Sequence, residues 1–444
     1  MAIFKKSLRL FAAVLACAVF AGTASADVLY LGIGGSDYAP DRFGLIRGKE
    51  APTKNVVTGL GGSAGAKAFP FRNANGSSRV AVAQCSSYSS EPTDTIDIYD
   101  PSKTDWSTPL KEIGGSSNPV TNVRGLAYSG KYIYICGYNT PSTIARFDTT
   151  DEKYANDKNV QVQCASASYD AHCEGIVAYG GYLYVIVTYS DSMYNYLNSK
   201  LLKYDTDLTL KSEITLNSRN TDGGTTGAYM LNGHSLYITS IGGSQGAVCN
   251  SNSMIEKVDL STATPSSKTI ISNDALLTQQ QGDVLGICAS ADWSYNFASL
   301  YVDASDNLYI GMNGYDSSWN NSRIVISASE TALGDPATLT AANVVKKFAP
   351  FSAYVPPHMS FDTNNARLYF GAGEGTETKL FFYDGLTWDS YSETELGAKL
   401  SDFCVLLDST SPAPSGSGGS GGCNAGFGAL VLVVIALGAA KRRK

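Results

Sequence analysis

The sequence predicts an all-β protein, and more specifically a seven-bladed β-propeller. Three observations support this prediction. A pattern of four short strands recurs seven times along the chain, the 444 residues include 44 Gly and 27 Tyr but few long helical patterns, and a surplus strand follows the last repeat. A β-sandwich, the rival all-β fold, does not explain one motif that repeats along the whole chain.

The repeat is clearest between Gly175 and Leu216, where β-branched and aromatic residues alternate at period two between turn residues. We name its four strands a to d, in chain order. They are predicted at Gly175–Tyr179, Tyr182–Val187, Leu201–Asp205 and Ser212–Leu216. One such sheet cannot bury both of its faces alone, so neighbouring repeats are needed to cover them.

Strand b identifies all seven repeats. Its copies are Leu29–Gly32, Val80–Ala83, Ile133–Cys136, Leu183–Ile186, Leu236–Thr239, Leu308–Gly311 and Leu368–Gly371. Strand c follows each of them, and five of the c strands end in Asp: Asp100, Asp148, Asp205, Asp259 and Asp384. An Asp carboxylate at this point can accept backbone N–H bonds from the turn that comes next.

The two ends of the repeat region predict how the ring closes. The first repeat begins at strand b, with no strand a ahead of it, and Leu400–Leu407 forms a surplus strand after the seventh repeat. We expect this surplus strand to serve as strand a of blade 1. Closure with strands from both termini removes the open sheet edges that would otherwise pair with other chains.

Residues 1–26 have the features of a cleavable signal peptide. Lys5, Lys6 and Arg9 precede the apolar run Leu10–Phe20, and small residues lead to a predicted cleavage between Ala26 and Asp27. An alternative is a lipoprotein-type cut that leaves Cys17 as the first residue. Either cut predicts export, and the propeller then occupies residues 27–407.

Charge argues against nucleic acid as a partner. The first 26 residues and the last four carry seven of the 33 basic residues and none of the 40 acidic ones. The remaining chain has 26 basic and 40 acidic residues, a net charge of −14. Nucleic acids and anionic lipids both require a basic surface, which this balance disfavours.

The C-terminal region reads as a tether followed by a membrane segment. Residues 408–422 are rich in Ser, Pro and Gly and predict a flexible linker. Residues 423–444 contain Cys423, an apolar run to Ala440 and a basic end. The apolar run is somewhat short for a helix that spans a bilayer, and the basic end predicts a cytoplasmic C-terminus with the body outside.

The run Gly421-Gly422-Cys423-Asn424-Ala425-Gly426-Phe427-Gly428, with its apolar helix and basic end, resembles the Synerg-CTERM sorting domain. The resemblance covers only these last residues. It implies export followed by anchoring or processing near Cys423, with a membrane-embedded sorting protease as a partner, and it implies nothing about the propeller's ligand. The alternative is a plain membrane anchor.

The propeller region contains seven cysteines, an odd number that in an exported protein predicts up to three disulfides. Cys164 and Cys173 bracket the loop between blades 3 and 4 and are the predicted pair. Cys85 with Cys136, and Cys249 with Cys288, are weaker pairings of cysteines on adjacent blades.

The candidate binding site is the mouth of the central channel, where the d-to-a and b-to-c loops of a propeller meet. Five polar residues are expected there, just ahead of or at the start of inner strands: Arg124, His172, Glu174, Asp283 and His358. They could equally cap strand ends. The b-to-c loops add aromatic residues that suit glycan or peptide recognition, although loop tyrosines can equally pack between loops; these residues are Tyr189, Tyr194, Tyr196, Tyr315 and Trp319.

No residue spacing predicts a metal site or a cofactor. The segment Asp303–Asn307 faintly resembles a calcium loop but lacks its Gly and closing Glu, so we predict a hairpin turn. The favoured function is a non-catalytic binding or scaffold protein for a surface glycan, peptide or protein. The alternative is a hydrolase or lyase that uses the Glu, Asp and His residues at the channel mouth as acid and base.

Overall fold

The structure is a computed structural model. It describes residues 27–35, 39–62, 65–86, 93–221, 225–243, 252–276, 285, 294–316, 318, 320–407 and 419–420. The signal peptide, most of the linker and the sorting tail lie outside these residues. Among the described residues, no helix combines the length and apolar character needed to cross a bilayer.

The described residues form seven antiparallel sheets with four blade strands each, which confirms the predicted seven-bladed propeller, and in blades 2 to 7 these four strands are consecutive in the chain. Blade 2 comprises Gly65–Arg72, Ser78–Cys85, Thr95–Tyr99 and Lys111–Ile113. Blade 3 comprises Val123–Ser129, Tyr132–Gly137, Thr143–Asp148 and Ala155–Gln161. Blade 4 comprises Asp170–Tyr179, Tyr182–Ser190, Asn198–Asp205 and Leu210–Arg219. Blade 5 comprises Tyr229–Asn232, Ser235–Ser240, Met254–Asp259 and Ser267–Ser272. Blade 6 comprises Ser294–Val302, Asn307–Tyr315, Asn321–Ser329 and Val344–Lys347. Blade 7 comprises Met359–Asp362, Arg367–Glu374, Glu377–Tyr383 and Trp388–Ser392. Each set gives strands a to d in order.

Blade 1 is built from both ends of the repeat region, as the sequence predicts. Its strands b to d are Asp27–Ile33, Arg42–Arg47 and Thr53–Thr58, and its strand a is Lys399–Val405. Strand a pairs antiparallel with strand b, with Leu29 opposite Cys404. The Leu406 N–H also donates to the Asp27 carbonyl at 2.7 Å, which extends the pairing.

Helices are few and short among the described residues. The α-helices are Asn273–Leu276, Glu330–Gly334 and Glu393–Leu396, and the 3₁₀ turns are Gly115–Ser117, Thr150–Glu152, Pro336–Thr338 and Ala341–Asn343. A two-residue strand, Gly419–Ser420, pairs with strand a of blade 3.

The core lies between neighbouring blades rather than in one central mass. Phe43 of blade 1, for example, packs edge-to-face on Tyr99 and Trp106 of blade 2, with ring centroids 5.3 and 5.7 Å apart. All three side chains are buried. Because each blade covers the next, the seven sheets stabilise one another around the ring.

The predicted disulfide between Cys164 and Cys173 is not seen in the structure. Both cysteines are free: Cys164 is exposed, with its thiol 3.7 Å from an Asp170 carboxylate oxygen, whereas Cys173 is buried. The weaker pairing of Cys85 with Cys136 is also absent, because the Cys85 thiol points to the Ala83 and Val123 carbonyls. Cys249 and Cys288 lie outside the described residues.

Candidate functional site

Strand a lines the centre of the ring in every blade. The inner strands of blades 1 to 4 contact one another in sequence, as do those of blades 5, 6, 7 and 1. Blades 4 and 5 meet where Gly175 lies against the Tyr229 ring. We call the face that carries the b-to-c and d-to-a loops the upper face.

Two of the predicted channel residues occupy β-bulges near the upper ends of inner strands. In blade 3, Val123 pairs with Gly137 and Gly125 with Cys136, so that Arg124 is the extra residue. In blade 4, Glu174 is the extra residue between Cys173 and Gly175. Side chains along a strand normally alternate between the two faces of the sheet, and a bulge redirects the extra residue from this pattern. The two bulges therefore direct the Arg124 and Glu174 side chains toward the centre of the ring.

Arg124, Tyr138 and His172 form a stack at the boundary of blades 3 and 4. The Arg124 guanidinium carbon lies 4.8 Å from the Tyr138 ring centre, and the His172 ring stacks on the same tyrosine at 4.4 Å. His172 also hydrogen-bonds the Tyr138 carbonyl and the Ser190 hydroxyl. Burial lowers the pKa of His172 and outweighs the opposing effect of the Tyr138 carbonyl, so the imidazole is neutral at pH 7.

Glu174 is 2% exposed and lies beside the same group. Its charge acts on the buried Cys136 thiol and on Tyr229, and the Arg124 charge acts on Cys136 in the opposite sense. A buried carboxylate needs charge or hydrogen-bond partners to remain ionised.

His358 and Asp402 form a second buried group, on blades 7 and 1. The His358 Nδ1 atom contacts the Asp402 carboxylate, and both side chains are 2% exposed. The Thr226 hydroxyl donates to the same carboxylate at 2.8 Å. Burial alone raises the pKa of Asp402, but the charges of His358 and Lys67 and the Thr226 hydroxyl more than offset it, so that pKa lies below its ordinary value.

The segment Thr225–Ala228, which leads into blade 5, crosses the centre of the ring above this pair. The Thr226 carbonyl accepts the Met359 N–H of blade 7, and the Gly227 carbonyl accepts the Leu300 N–H of blade 6, each at 2.8 Å. Together with the Thr226 hydroxyl bond to Asp402, these contacts tie the segment to blades 6, 7 and 1. The segment therefore packs against the buried His358–Asp402 pair.

We call Lys67, Arg124, Glu174, Thr226, His358 and Asp402 the channel cluster. Its members come from six of the seven blades, because the inner strand or the loop before it supplies one member in every blade except blade 6. Glu174 and Arg124 act on the Cys136 thiol with opposite signs, and the charges of His358 and Lys67 offset that of Asp402. Within the described part of the chain, no group of three or more His, Cys, Asp or Glu residues could hold a metal ion.

Several predicted residues cannot be placed. Asp283 and Trp319 lie outside the described residues, as do Ala26 and the sorting residues Gly421, Gly422, Cys423 and Asn424. Asp27, which follows the predicted cleavage point, begins strand b of blade 1 and pairs with Arg47 at 3.0 Å.

The loop tyrosines divide into packed and exposed residues. Tyr189 is 4% exposed and belongs to the core between blades 3 and 4, so its predicted role in an exposed recognition loop is wrong. Tyr194 is 65% exposed on the upper face. Tyr196 is half-buried, and its backbone bridges to Ser190.

Tyr315 lines a cavity of about 60 Å³ between blades 5, 6 and 7, which we call the upper pocket. The lining residues are Thr225, Ile241, Asn296, Phe297, Ala298, Asn313, Tyr315, Tyr354, Val355, Pro356 and Pro357. Tyr354 is 64% exposed, whereas Asn296 is 6% exposed. The pocket thus combines an exposed aromatic ring with one buried and one half-buried amide side chain, those of Asn296 and Asn313, the chemistry of sites that bind neutral polar ligands.

Arg323, which is fully buried, fixes one wall of the upper pocket. Its guanidinium donates to the Asn313 Oδ1 atom at 3.0 Å and to the Gly371 carbonyl at 2.7 Å, and it also contacts the Val355 carbonyl. Because the Asn313 oxygen is engaged by Arg323, the amide nitrogen of that side chain is the group that can donate to a ligand.

Sequence reasoning missed most of this pocket. Tyr354 lies in the loop before blade 7, and Asn296 and Asn313 lie on strands of blade 6, so they share no local motif. One usable signal was present: Tyr354 stands in the run Tyr354-Val355-Pro356-Pro357, where two prolines fix an extended loop beside an aromatic residue. For the channel cluster, the usable signal was a charged residue directly before Gly in two inner strands, at Arg124-Gly125 and Glu174-Gly175.

No family model matches the sequence, and no curated protein matches it either. Solved structures with a similar fold include a protein assigned as a 6-phosphogluconolactonase from Bacteroides uniformis, at 11% identity and a TM-score of 0.44 over 87% of this chain and 98% of that one. The Synechocystis apocarotenoid oxygenase is similar at 10% identity and a TM-score of 0.37, over 69% of this chain and 68% of that one. The lectin SapL1 is similar at 13% identity and a TM-score of 0.34, over 76% of this chain and 96% of that one. These similarities concern the fold alone.

Proposed function

We propose that this protein is an exported propeller that binds a glycan or a peptide at the upper pocket without changing it chemically. The main support for this proposal is the pocket itself, which is lined by both the exposed Tyr354 ring and the buried Asn296 amide. An aromatic face next to fixed amides suits the apolar face and the hydroxyl or amide groups of such ligands. A cavity of about 60 Å³ takes one substituent of a larger ligand, while the remainder lies across the upper face.

The channel cluster supports binding over catalysis. A hydrolase or lyase needs an acid and a base that reach the substrate. Here Glu174, His358 and Asp402 are each no more than 2% exposed, and His358 and Asp402 engage each other beneath the Thr225–Ala228 segment. His172 is held by the Tyr138 carbonyl and the Ser190 hydroxyl. These groups stabilise the centre of the ring rather than face an open site.

The test is a screen of residues 27–407 against immobilised glycans and peptides, followed by affinity measurement on the ligands that bind. Tyr354→Ala removes the exposed ring of the pocket and is expected to weaken binding about tenfold, the effect of losing one stacking contact. Tyr182→Ala is the matched control, because Tyr182 is 37% exposed but starts strand b of blade 4 at the opposite face. Equal affinity of wild type and Tyr354→Ala would refute the pocket assignment.

We further propose that the C-terminal region holds the propeller at the outer face of the cell membrane or delivers it to the cell surface. The sequence supports this through the Gly/Ser-rich linker, Cys423 and the apolar run with its basic end. If Cys423 is the processing point, Cys423→Ala keeps the whole tail and stays in the cytoplasmic membrane, while the wild type loses the apolar segment. Fractionation with intact-mass measurement distinguishes the two. If wild type and Cys423→Ala both keep residues 427–444 and lie in the same membrane fraction, the tail is only a membrane anchor and is not processed at Cys423.

A further inference from the structure

Two buried cysteines on adjacent blades belong to one core cluster, and both are free in the structure. Cys136 is near the upper end of strand b of blade 3, and Cys173 is on strand a of blade 4. Both belong to the apolar cluster between these blades, and both are 0% exposed. The Cys173 thiol contributes to the raised pKa of the Cys136 thiol, as a close neighbour does.

A single hydroxyl also fixes the backbones near these two cysteines. The Ser142 hydroxyl donates to the Gly137 carbonyl at 2.5 Å and accepts the Cys173 N–H at 2.9 Å. Gly137 is the residue directly after Cys136, so one oxygen atom bridges the chain segments that carry the two thiols. Disulfides require two backbones held close together, and the shared Ser142 oxygen brings these two backbones close.

We propose that Cys136 and Cys173 form a disulfide that joins blades 3 and 4 when the protein folds in an oxidising compartment. This pairing replaces the one expected from sequence. It is also independent of what the upper pocket binds. The loop that it closes contains strands c and d of blade 3 and the start of strand a of blade 4, so the bond would restrict residues 136–173 of the unfolded chain.

The oxidant is a small-molecule or protein disulfide, such as glutathione disulfide. A cysteine thiolate attacks one sulfur of that disulfide, breaks its S–S bond and releases one thiol as a mixed disulfide forms. The second cysteine then displaces the second thiol and forms the Cys136–Cys173 bond. The two cysteines lose two protons and two electrons, and the oxidant is reduced to two thiols.

Burial determines when the reaction occurs. It raises the pKa of the Cys136 thiol well above its ordinary value, and only the thiolate is nucleophilic. Exchange is therefore slow once the two blades have closed over the cysteines. The bond forms during folding, before the blades pack, and afterwards resists reduction for the same reason.

The experiment refolds residues 27–407 in a glutathione redox buffer, quenches with acid, alkylates under denaturing conditions and maps the peptides. The expected product contains the Cys136 and Cys173 peptides as one linked species, about 2 Da lighter than the sum of the thiol forms. Reductant separates them, and the melting temperature of the reduced protein falls by roughly 5 °C. Fully folded, reduced protein placed in the same buffer should form the bond more slowly.

Cys85→Ala is the control, because Cys85 is equally buried but points to backbone carbonyls of its own and the next blade. This variant should retain the linked peptides, whereas Cys136→Ala should expose Cys173 to alkylation. The proposal is wrong if Cys136 and Cys173 are both alkylated in wild-type protein after oxidative refolding. It is equally wrong if Cys173 is linked to Cys164.

Discussion

Aspartate side chains shape the turns of this molecule one residue at a time. Each Asp that ends or follows a strand c accepts the backbone N–H two residues later, as Asp148 does from Thr150 at 2.8 Å and Asp259 from Ser261 at 2.9 Å. Asp100, Asp205 and Asp384 make the same bond. Asp303 accepts from Ser305 and Asn307, which confirms a hairpin turn there.

These turns could be predicted because the interaction is local: the carboxylate and its N–H donors are only a few residues apart. The buried charges could not be assigned in the same way. The contact of His358 with Asp402, and the burial of Tyr189, depend on which blades become neighbours across the ring. Tertiary packing therefore decided the roles of these residues, whereas local chemistry decided the turns.

Asp97 provides a test at the residue scale. Burial, and then the like charge of Glu112, raise the pKa of Asp97 to about 6, although Gln84 donates a hydrogen bond to it at 3.0 Å. The folded state therefore binds this proton more tightly than the unfolded state. Its contribution to stability is fully present below the unfolded pKa of 3.8 and is lost as pH rises through about 6.

Asp97→Asn should accordingly raise the free energy of unfolding at pH 7 by about 1 kcal/mol, after allowance for solvent screening. The gain over wild type should shrink as the pH falls from 6 to 4. Urea unfolding at several pH values measures both effects. The exposed strand residue Asp389 supplies the control, since Asp389→Asn should leave the midpoint unchanged. A variant that is less stable than wild type at pH 7 would contradict the account.

At the scale of the element, the inner strands combine bulges with glycines. Each bulge in blades 3 and 4 places a charged residue immediately before a glycine. A Cβ atom added at Gly125 would lie 2.9 Å from the Ile176 backbone nitrogen and 3.0 Å from the Gly175 Cα atom. Glycine therefore permits the two inner strands to approach closely where Arg124 and Glu174 enter the channel cluster.

Gly125→Ala should lower the free energy of unfolding by about 2 kcal/mol, because backbone of blade 4 must shift to admit the methyl group. It should also disturb the stack of Arg124 on Tyr138. Gly334→Ala is the control, since a Cβ at Gly334 meets nothing within 4 Å. Thermal and chemical denaturation measure the free energy of unfolding of both variants. Equal destabilisation by the two substitutions would show that the loss at Gly125 is not caused by close packing against blade 4.

At the scale of the whole molecule, the last strand joins the ends of the ring and also organises its centre. Strand a of blade 1 pairs with the first strand of the propeller and buries Leu400, Phe403 and Cys404. It carries Asp402, which holds His358 of blade 7 and the Thr226 segment. The pairing could be predicted from the incomplete first repeat, but the role of Asp402 could not, because its partners are far away in sequence.

A chain that ends at Ala398 should therefore lose cooperative unfolding or aggregate, because two inner strands lose their neighbour and the Thr226 segment loses its partner. A chain that ends at Leu407 keeps strand a and should unfold like the longer protein. Calorimetry and size-exclusion chromatography distinguish these outcomes. A monomeric protein ending at Ala398 with an unchanged melting temperature is incompatible with shared closure of blade 1.

The central claim is that ligand recognition belongs to the upper pocket and that the channel cluster is structural. The most direct measurement compares the affinity of wild type, Tyr354→Ala and Glu174→Gln for one ligand identified in the screen. Glu174 lies on blade 4, away from the pocket between blades 5, 6 and 7. The account predicts that Tyr354→Ala weakens binding about tenfold while Glu174→Gln binds like wild type. Loss of binding in Glu174→Gln with full binding in Tyr354→Ala would contradict it and place the site in the channel.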